Sequence, residues 1–385
     1  MIRQLFLAIA IGFACSEACT INFGQMRKNE PIFLYNTNNN INSFMIPNGN
    51  SMTLSSGTQF LIDCGQGRKF NIPNQNIQQL QVSCENNAFM IGNQLVQSVD
   101  NFECMDARNS PVVRIQKTQS ICGDDGLIYN VGFHVQNGNS QNFIQVLQSC
   151  FDEQSKSVFY VKSNIFGQVD RSGSPDFSIN NGVWTDGKVV PSNFFEVKSV
   201  KSAFSTKQFH RGHYAPNADY PFAQHRRATF QYFNMGPMEA RFNGKDWSQL
   251  ESYVRKLVKH HGQTATVFTG GFVYNSQSAL ASKNRPINIL NQNPQGNKVM
   301  MPGNQVKTIL VPDLFWKIIN IGNQGVAIFM FNDTTITQQN FCQNLCQKYF
   351  CCNVNEFISG TDGIKGNFNW PHDAYVGQNL GMIPE

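Results

Sequence analysis

Residues 209–222 read FHRGHYAPNADYPF, and the order of elements around this stretch decides the fold. The preceding segment VKSAFSTKQF has strand character, and ATFQYFN at residues 228–234 is a second strand candidate. The prolines and the asparagine that follow the second histidine are loop formers, so His213 is predicted to lie just past the end of a strand. The predicted local order is a strand, a loop with His213, a strand, a loop with Asn243, and a helix.

The clearest helix is DWSQLESYVRKLVKHHG, residues 246–262. Asp246 suits its N-cap, and Gly262 suits its C′ position. The apolar residues recur at i, i+3, i+7, i+10 and i+11, which predicts one buried helical face. They are Trp247, Leu250, Val254, Leu257 and Val258. A helix of this kind among strand patterns predicts the α+β class.

The character of the elements changes along the 385 residues, which exceed one typical domain. Short apolar runs such as TQFLIDC and QQLQVSC predict a β-rich region over residues 19–125. Longer strands follow in GLIYNVGFHV, SVFYVKSNIF, ATVFTGGFVY and GVAIFMF, whereas NFIQVLQSCFDEQ has helical spacing. We therefore expect a signal peptide at residues 1–18, the β-rich region, and a mixed domain at residues 126–385.

The N-terminus and the cysteines both predict a secreted protein. Arg3 precedes the apolar run LFLAIAIGFA and the small residues of SEA, as in a signal peptide. No later run reaches the ~20 apolar residues of a membrane span. Removal of residues 1–18 leaves ten of eleven cysteines, an even number that indicates disulfides. A zinc cluster in CQNLCQKYFCC is the weaker alternative. The sequon at Asn332 predicts a glycoprotein.

The charge balance is mildly basic, with a net charge of +5. This is compatible with a polyanionic partner such as nucleic acid but does not require one. Arg226 and Arg227 lie in the segment HRRATF, which fits a solvated charge run as well as a track for phosphates.

The residues near FHRGHYAPNADYPF suit metal-assisted hydrolysis of a phosphodiester. His213 has the ordinary pKa of a base that works near neutral pH, and the guanidinium of Arg211 can fork onto a phosphate. Asn243 offers an amide oxygen to a hydrated Mg²⁺. Glu251 is eight residues further on, about 12 Å along a helix, so it suits holding the water shell of the ion.

The same region resembles the DNA/RNA non-specific endonuclease family, the ββα-metal nucleases that include endonuclease G, and in particular its arthropod secreted branch. The strong resemblance covers about fifty residues, and a weaker one runs from about 125 to 330, including TGG and VPDLFWKI. The matching residues are Arg211-Gly212-His213, Ala215-Pro216, Asn234, Pro237, Asn243, Trp247, Leu250-Glu251 and Arg255.

The resemblance implies a ββα-metal fold and a set of roles. His213 is implied as general base, Asn243 as direct metal ligand, and Glu251 as holder of the metal's water. Arg211 and Arg255 are implied as phosphate contacts. The implied ion is Mg²⁺, or else Mn²⁺ or Ca²⁺, and the implied substrates are DNA and RNA, single- and double-stranded. Further candidate nucleic-acid contacts are Arg226, Arg227 and Asn234.

Two departures from the family pattern keep a second interpretation open. His210 replaces the family's Asp, and Met238 replaces a Gln. A nucleic-acid-binding protein with weak catalysis on the same scaffold is therefore the alternative, and a binder of heparin-like polyanions is a third. At the level of single residues, Glu251 and Arg255 also fit a surface salt bridge at i,i+4, and Asn243 fits a hydrogen bonder at a helix start.

Overall fold

The structure is a computed structural model that describes residues 18–25, 30–37, 40–65, 69–71, 77–105, 112–116, 122, 126–137, 140–152, 157–169, 209–272, 311–332, 341–362 and 369–382. Almost all of the predicted signal peptide, and the segment predicted as a strand before Phe209, lie outside these residues. Among the described residues, no helix has the length and apolar content to cross a membrane.

The N-terminal region is built from short antiparallel strands, as predicted. TQFLIDC and QQLQVSC both form strands, and the alternating burial of the second one is that of a half-buried strand. One strand pair stands apart, β1 with β4, and the remaining six strands form a sheet in the order β3-β2-β5-β6-β7-β8. The strands are β1 (Ala18–Asn22), β2 (Ile32–Thr37), β3 (Asn40–Phe44), β4 (Ser51–Ser55), β5 (Gln59–Asp63), β6 (Gln79–Glu85), β7 (Ala88–Ile91) and β8 (Gln94–Val96).

A large sheet forms the centre of the rest of the molecule. The strands that follow are β9 (Val112–Gln116), β10 (Gly126–Asn137), β11 (Ser140–Asp152), β12 (Ser157–Phe166), β13 (Phe209–His213), β14 (Met235–Glu239), β15 (Thr264–Phe272), β16 (Leu314–Ile321), β17 (Gln324–Phe331), β18 (Phe350–Cys352) and β19 (Gln378–Asn379). The sheet order is β18-β17-β16-β15-β12-β11-β10-β9, with β19 parallel beside β17. All eight residues of β16 are buried, so both faces of the sheet are covered there.

The segment NFIQVLQSCFDEQ was predicted as a helix, and this prediction is wrong because it forms β11. The pairing of β10 with β11 skips Val146, which is an extra residue in the strand. This β-bulge leaves Ile144 and Leu147 both buried although they are three residues apart. A spacing of three between buried apolar residues imitates a helix, whereas the hydrogen bonds of β11 run to β10 and β12.

Besides short 3-10 turns and one π-helical segment, the described chain contains three α-helices: α1 (Ala223–Ala228), α2 (Ser248–His261) and α3 (Val354–Gly360). The predicted apolar face of α2 is buried. Gly262 follows with φ 65°, and its N–H donates to the carbonyls of Val258 and Lys259, which confirms the predicted C′ position. Asp246 does not cap the helix, because a π-helical segment, Phe242–Trp247, precedes α2 and contains it.

The second strand of the predicted local order begins later than expected. ATFQYFN is not a strand, since it holds the end of α1 and a 3-10 turn at Tyr232–Asn234. The strand is β14, which pairs antiparallel with β13. The β13–β14 pair followed by the helical segment is a ββα unit, so the predicted α+β class and ββα arrangement are confirmed with a shifted strand.

All ten cysteines of residues 19–385 form disulfides, as predicted. Because every thiol of CQNLCQKYFCC is paired with another, the zinc alternative for this segment is wrong. The pairs are Cys19–Cys84, Cys64–Cys104, Cys122–Cys150, Cys342–Cys352 and Cys346–Cys351.

The glycosylation predicted at Asn332 does not fit the folded protein. Asn332 is 5% exposed, and its Nδ2 donates to the carbonyl oxygens of Pro237 at 3.2 Å and Pro312 at 2.9 Å. Its Oδ1 accepts from the N–H of Glu239 at 2.8 Å. The amide therefore holds β14 to the sheet and has no surface for a glycan.

Candidate active site

Met238 packs closely against Gly212 in the β13–β14 pair, and a larger residue at position 212 would force the methionine side chain to move. Gly212 lies opposite Gly236, and a Cβ atom on Gly212 would come within 2.1 Å of the sulfur of Met238. Met238 is fully buried. This side chain, which replaces a family Gln, therefore packs over the Arg-Gly-His backbone as part of the core and supports the strand that ends in His213.

His213 is the last residue of β13 rather than a residue of the loop beyond it. Its ring packs edge-on against Phe230, with 4.9 Å between ring centroids. Burial, with a smaller effect from the nearby Arg211 guanidinium, lowers the pKa of His213 to about 3. This pKa departs from the ordinary value that the sequence predicted for His213. The imidazole is neutral at physiological pH, as a general base must be before the reaction, whereas a base is most effective when its pKa lies near the working pH.

Asn243 lies in the π-helical segment and contacts β13 near the end opposite His213. Its Nδ2 is 3.3 Å from Nδ1 of the exposed His210. The amide donates here when that ring nitrogen carries no proton, and Oδ1 then points away from His210. The side chain that caps the start of this helical segment is Glu239, whose Oε2 accepts from the N–H of Phe242 at 2.9 Å, so the alternative role of Asn243 as a cap is not observed. π-helical segments are often found at functional sites because they displace single side chains from the helical surface.

Lys317 is a buried charge beside this unit. It is 2% exposed, and its Nζ donates to the carbonyl of Tyr214 at 3.0 Å and to Oγ1 of Thr269 at 2.9 Å. The ammonium also lies 4.9 Å from the centroid of the Trp247 ring. Tyr214 is the residue after His213, so a strand of the central sheet is bonded directly to the backbone next to the predicted base.

Glu251 belongs to the same charge cluster. Burial raises the pKa of Glu251 to about 7, the charges of Lys317 and Arg255 oppose the rise, and Asp219 adds to it. Arg255 forms an ion pair with the buried Asp219 at 3.1 Å and donates to Oγ of Ser252 at 3.0 Å. The alternative of a solvated Glu251–Arg255 surface pair is therefore wrong, because the ion pair of Arg255 is with Asp219 and the Glu251 carboxyl is desolvated.

Sequence reasoning missed Lys317 and Asp219. The sequence contains a feature that points to each of them. Lys317 is the only charged residue of the strand LFWKIINI, and a charge within an otherwise apolar strand requires partners. Asp219 lies in the loop segment YAPNADYP, six residues after His213.

Asn234, predicted as a nucleic-acid contact, is instead a structural clamp. It is fully buried, its Nδ2 donates to the carbonyls of Ala215 and Thr229, and its Oδ1 accepts from the N–H of Ala215. These three hydrogen bonds go to the His213 loop and to the turn after α1, and the buried side chain has no surface for a ligand.

Arg226 and Arg227 lie on α1 close to a second buried carboxyl, that of Glu30. Burial raises the pKa of Glu30 to about 8, while its hydrogen bond with Ala223 and the charges of both arginines oppose the rise. Arg226 Nε also donates to the carbonyl of Tyr220 at 2.8 Å. Both arginines are half-buried, and their predicted contacts with nucleic acid stay predictions.

The donors near β13 fit a hard divalent cation. The amide oxygen of Asn243 and the carboxylate of Glu251 are oxygen donors of the kind Mg²⁺ prefers. Among the described residues, no group of three or more His, Cys, Asp or Glu side chains could enclose an ion. So sparse a donor set suits an ion that keeps most of its water and takes one or two protein oxygens.

Comparisons with known proteins identify the family of this chain. The family model described as DNA/RNA non-specific endonuclease matches residues 124–365. A salivary endonuclease of Lutzomyia longipalpis is 24% identical over 382 residues, covering 89% of this chain and 83% of the relative. A mitochondrial nuclease of Saccharomyces cerevisiae is 26% identical over 202 residues, covering 50% of this chain and 55% of the relative.

A solved structure of EndoG in complex with EndoGI aligns with a TM-score of 0.39 and 16% identity, over 61% of this chain and 88% of that chain. The family match alone spans well over half of the 385 residues and includes the ββα unit and the Lys317 strand. The chain belongs to the DNA/RNA non-specific endonuclease family and is a hydrolase of the nuclease class.

Proposed function

We propose that the protein is a secreted, metal-dependent endonuclease that hydrolyses phosphodiester bonds of both DNA and RNA, single- and double-stranded. The contact between Asn243 and His210 carries the proposal, because it joins the predicted metal ligand to the strand that ends in the predicted base. Positions 210 and 213 are about 10 Å apart along such a strand. The catalytic domain is proposed to span residues 126–385, which the start of the family match at residue 124 supports.

His213 acts as the general base in this proposal. A ring nitrogen of its neutral imidazole takes a proton from the attacking water, and the new bond forms between the water oxygen and phosphorus. The bond to the 3′ oxygen breaks, which leaves a 5′-phosphate. Burial lowers the pKa of the ring, so the imidazole carries no extra proton at neutral pH.

Oδ1 of Asn243 would hold Mg²⁺, or Mn²⁺ or Ca²⁺, with the Glu251 carboxylate beside the ion's water. When bound, the cation supplies a Lewis acid for the negative charge on the leaving oxygen. His210 orients the Asn243 amide by accepting from Nδ2. Arg211 and Arg255 supply positive charge toward the phosphate, and the ion pair with Asp219 keeps the Arg255 guanidinium in place.

Contacts to phosphates carry no information about the base, so a site of this composition suits cleavage without sequence preference. The net charge of +5 favours association with polyanions. Five disulfides suit an oxidising compartment, and together with the predicted signal peptide they support secretion.

A second candidate is a protein that binds nucleic acid with little turnover. The buried apolar Met238 favours it, because the family has a polar Gln at this position. Tight, salt-sensitive binding without cleavage would be its signature.

Nicking of supercoiled plasmid in Mg²⁺ tests the proposal. We expect the wild type to nick, EDTA to stop the reaction, and His213→Ala to lower the rate at least ~100-fold because the general base is lost. His260→Ala is the matched control, since His260 is an exposed histidine of α2, and it should stay within about twofold. An unchanged rate in His213→Ala, or binding by the wild type without nicking, would contradict the proposal.

A further inference from the structure

The N-terminal region, β1–β8, precedes the family match, which begins at residue 124, and it is packed into the nuclease fold. Asn142 Nδ2 of β11 donates to the carbonyl of Ile41 at 2.7 Å, and Gln79 Nε2 donates to the carbonyl of Gln136 in β10 at 2.8 Å. Four apolar residues of the region share the core that lies against the large sheet: Ile32, Leu34, Ile41 and Leu61. The two parts of the chain therefore have a common core.

The contacts of the N-terminal region also reach the start of α1. Each of the four consecutive residues 222–225 contacts it. The pairs are Phe222 with Phe23, at 5.3 Å between ring centroids, Ala223 and Gln224 with Glu30, and His225 with Phe44, at 4.1 Å between ring centroids. Isolated helices shorter than about 12 residues are marginal in water. The six residues of α1 therefore depend on these contacts for their position.

The other end of α1 leads to the predicted base. The N–H of Phe230 donates to the carbonyl of Arg227, in the last turn of α1, at 3.2 Å. Oγ1 of Thr229 donates to the carbonyl of Arg226 at 2.7 Å, so the chain leaves the helix in a fixed direction. The Phe230 ring then packs edge-on against the His213 ring. Direct contacts thus run from the N-terminal region through α1 to the imidazole.

We propose that the N-terminal region is a positioning element of the nuclease site, which acts through α1 and Phe230 to set the orientation of the His213 ring. Phe44 is the positioning residue that carries this contact, since its ring packs on His225 of α1. The effect on cleavage rests on the proposed function. The effect on the orientation of the ring stands on the packing alone.

The kinetic test is Phe44→Leu in the full chain, which keeps the residue apolar and removes the ring that packs on α1. A general base works only in the right orientation, and a small misplacement lowers the rate. We expect kcat for an oligonucleotide in Mg²⁺ to fall about three- to tenfold, with KM within about twofold. Urea unfolding establishes that the variant is folded under the assay conditions.

Phe70→Leu is the matched control. Phe70 is a fully buried phenylalanine of the same region, and its ring packs on Phe102, also of that region. The substitution removes the same ring from the core without touching α1, so kcat should stay within about twofold. A purely structural role of the N-terminal region would make the two variants lose activity in proportion to their loss of stability.

A second readout does not depend on activity. In a ¹H–¹³C NMR spectrum, the ring signal of His213 is the one that disappears in His213→Ala, and it senses the orientation of the Phe230 ring beside it. This signal should move in Phe44→Leu and stay in place in Phe70→Leu. If the wild type does not cleave nucleic acid, the proposed function fails, and this signal still decides whether the N-terminal region positions His213.

Phe23→Leu is the second variant if Phe44→Leu does not fold. It removes the ring that packs on Phe222, whose carbonyl accepts from the N–H of Arg226 at 3.0 Å within α1. We expect the same direction of change in kcat and in the His213 signal. A His213 signal that stays in place in the folded variants, or that moves as far in Phe70→Leu, would overturn the proposal.

Discussion

Glu30 and Glu251 are two desolvated carboxyls with similar electrostatics and different surroundings. Burial raises the pKa of Glu30 to about 8 and that of Glu251 to about 7, and arginines oppose the rise at both positions. The carboxyl of Glu30 accepts from the backbone N–H of Ala223, at the start of α1. It therefore bonds the N-terminal region to the helix that follows the His213 loop.

The neighbours of the two carboxyls separate their roles. Next to Glu30, His225 is 2% exposed and its ring packs on Phe44 of the N-terminal region at 4.1 Å between centroids. These are contacts of a protein core. Next to Glu251, Lys317 bonds to the backbone beside His213. A carboxyl with a perturbed pKa is therefore not a functional site by itself. The neighbouring residues and their contacts decide whether the carboxyl belongs to the core or to the active site.

The largest difference between loss of activity and loss of stability is expected for two asparagines. Asn243 belongs to the candidate active site, and Asn234 belongs to the core. Asn243→Ala removes the predicted metal ligand, so cleavage should fall about 100-fold or more, while the free energy of unfolding changes by less than about 1 kcal/mol. Asn234→Ala breaks three buried hydrogen bonds and should cost about 3 kcal/mol of stability. Urea unfolding and plasmid nicking on both variants measure this, and equal stability losses would break the contrast.

The pH dependence of stability tests the structural role of Glu30. Because the pKa of Glu30 is raised from 4.5 to about 8 on folding, its contribution is fully present below pH 4.5 and is lost as pH rises through 8. The loss approaches about 1.4 kcal/mol per pH unit within this window. Glu30→Gln does not titrate, so its urea unfolding should lack that decline between pH 5 and pH 8.

The stability contribution of His225 changes with pH in the opposite direction. Its pKa is lowered from 6.5 to about 3 by burial, so its contribution is present above pH 6.5 and is lost as pH falls toward 3. Together, the two residues predict that this junction is most stable at mildly acidic pH. A wild-type protein whose stability follows the same course from pH 5 to pH 8 as that of Glu30→Gln would contradict the role assigned to Glu30.

The smallest effect concerns His210. Asn has an oxygen near the position of the histidine Nδ1, so His210→Asn should still accept from Asn243, whereas His210→Gln reaches further and should not. We expect the Mg²⁺ concentration for half-maximal nicking to rise about fivefold in His210→Gln and less than about twofold in His210→Asn. In a metal-free NMR spectrum, the chemical shift of the Asn243 side-chain amide should change more in His210→Gln than in His210→Asn. Equal values for the two variants would show that the contact does not orient Asn243.

Local patterns in the sequence predicted much of this structure. The face of α2, the Gly262 terminus, the long strands and the pairing of all ten cysteines follow from periodicity, turn chemistry and parity. The ββα unit followed from the motif around His213. These features depend on neighbours within a few residues, or on a count, so one chain is enough to predict them.

Other features depend on partners distant in sequence. The bulge at Val146 is defined by the register with β10, and it made β11 look helical. Asn234 matched a family motif, but its burial depends on Ala215 and Thr229. The link from Lys317 to Tyr214 spans 103 residues. No local periodicity encodes such pairings.

The most direct test is a crossed measurement on Glu251→Gln and Glu30→Gln, each assayed for nicking in Mg²⁺ and for urea unfolding at pH 7. Glu251→Gln should lower kcat/KM about 100-fold and change the free energy of unfolding by less than about 1 kcal/mol. Glu30→Gln should keep kcat/KM within about twofold and change the stability. Equal losses of activity in both variants, or full activity in Glu251→Gln, would contradict the assignment of Glu251 to the site and Glu30 to the architecture.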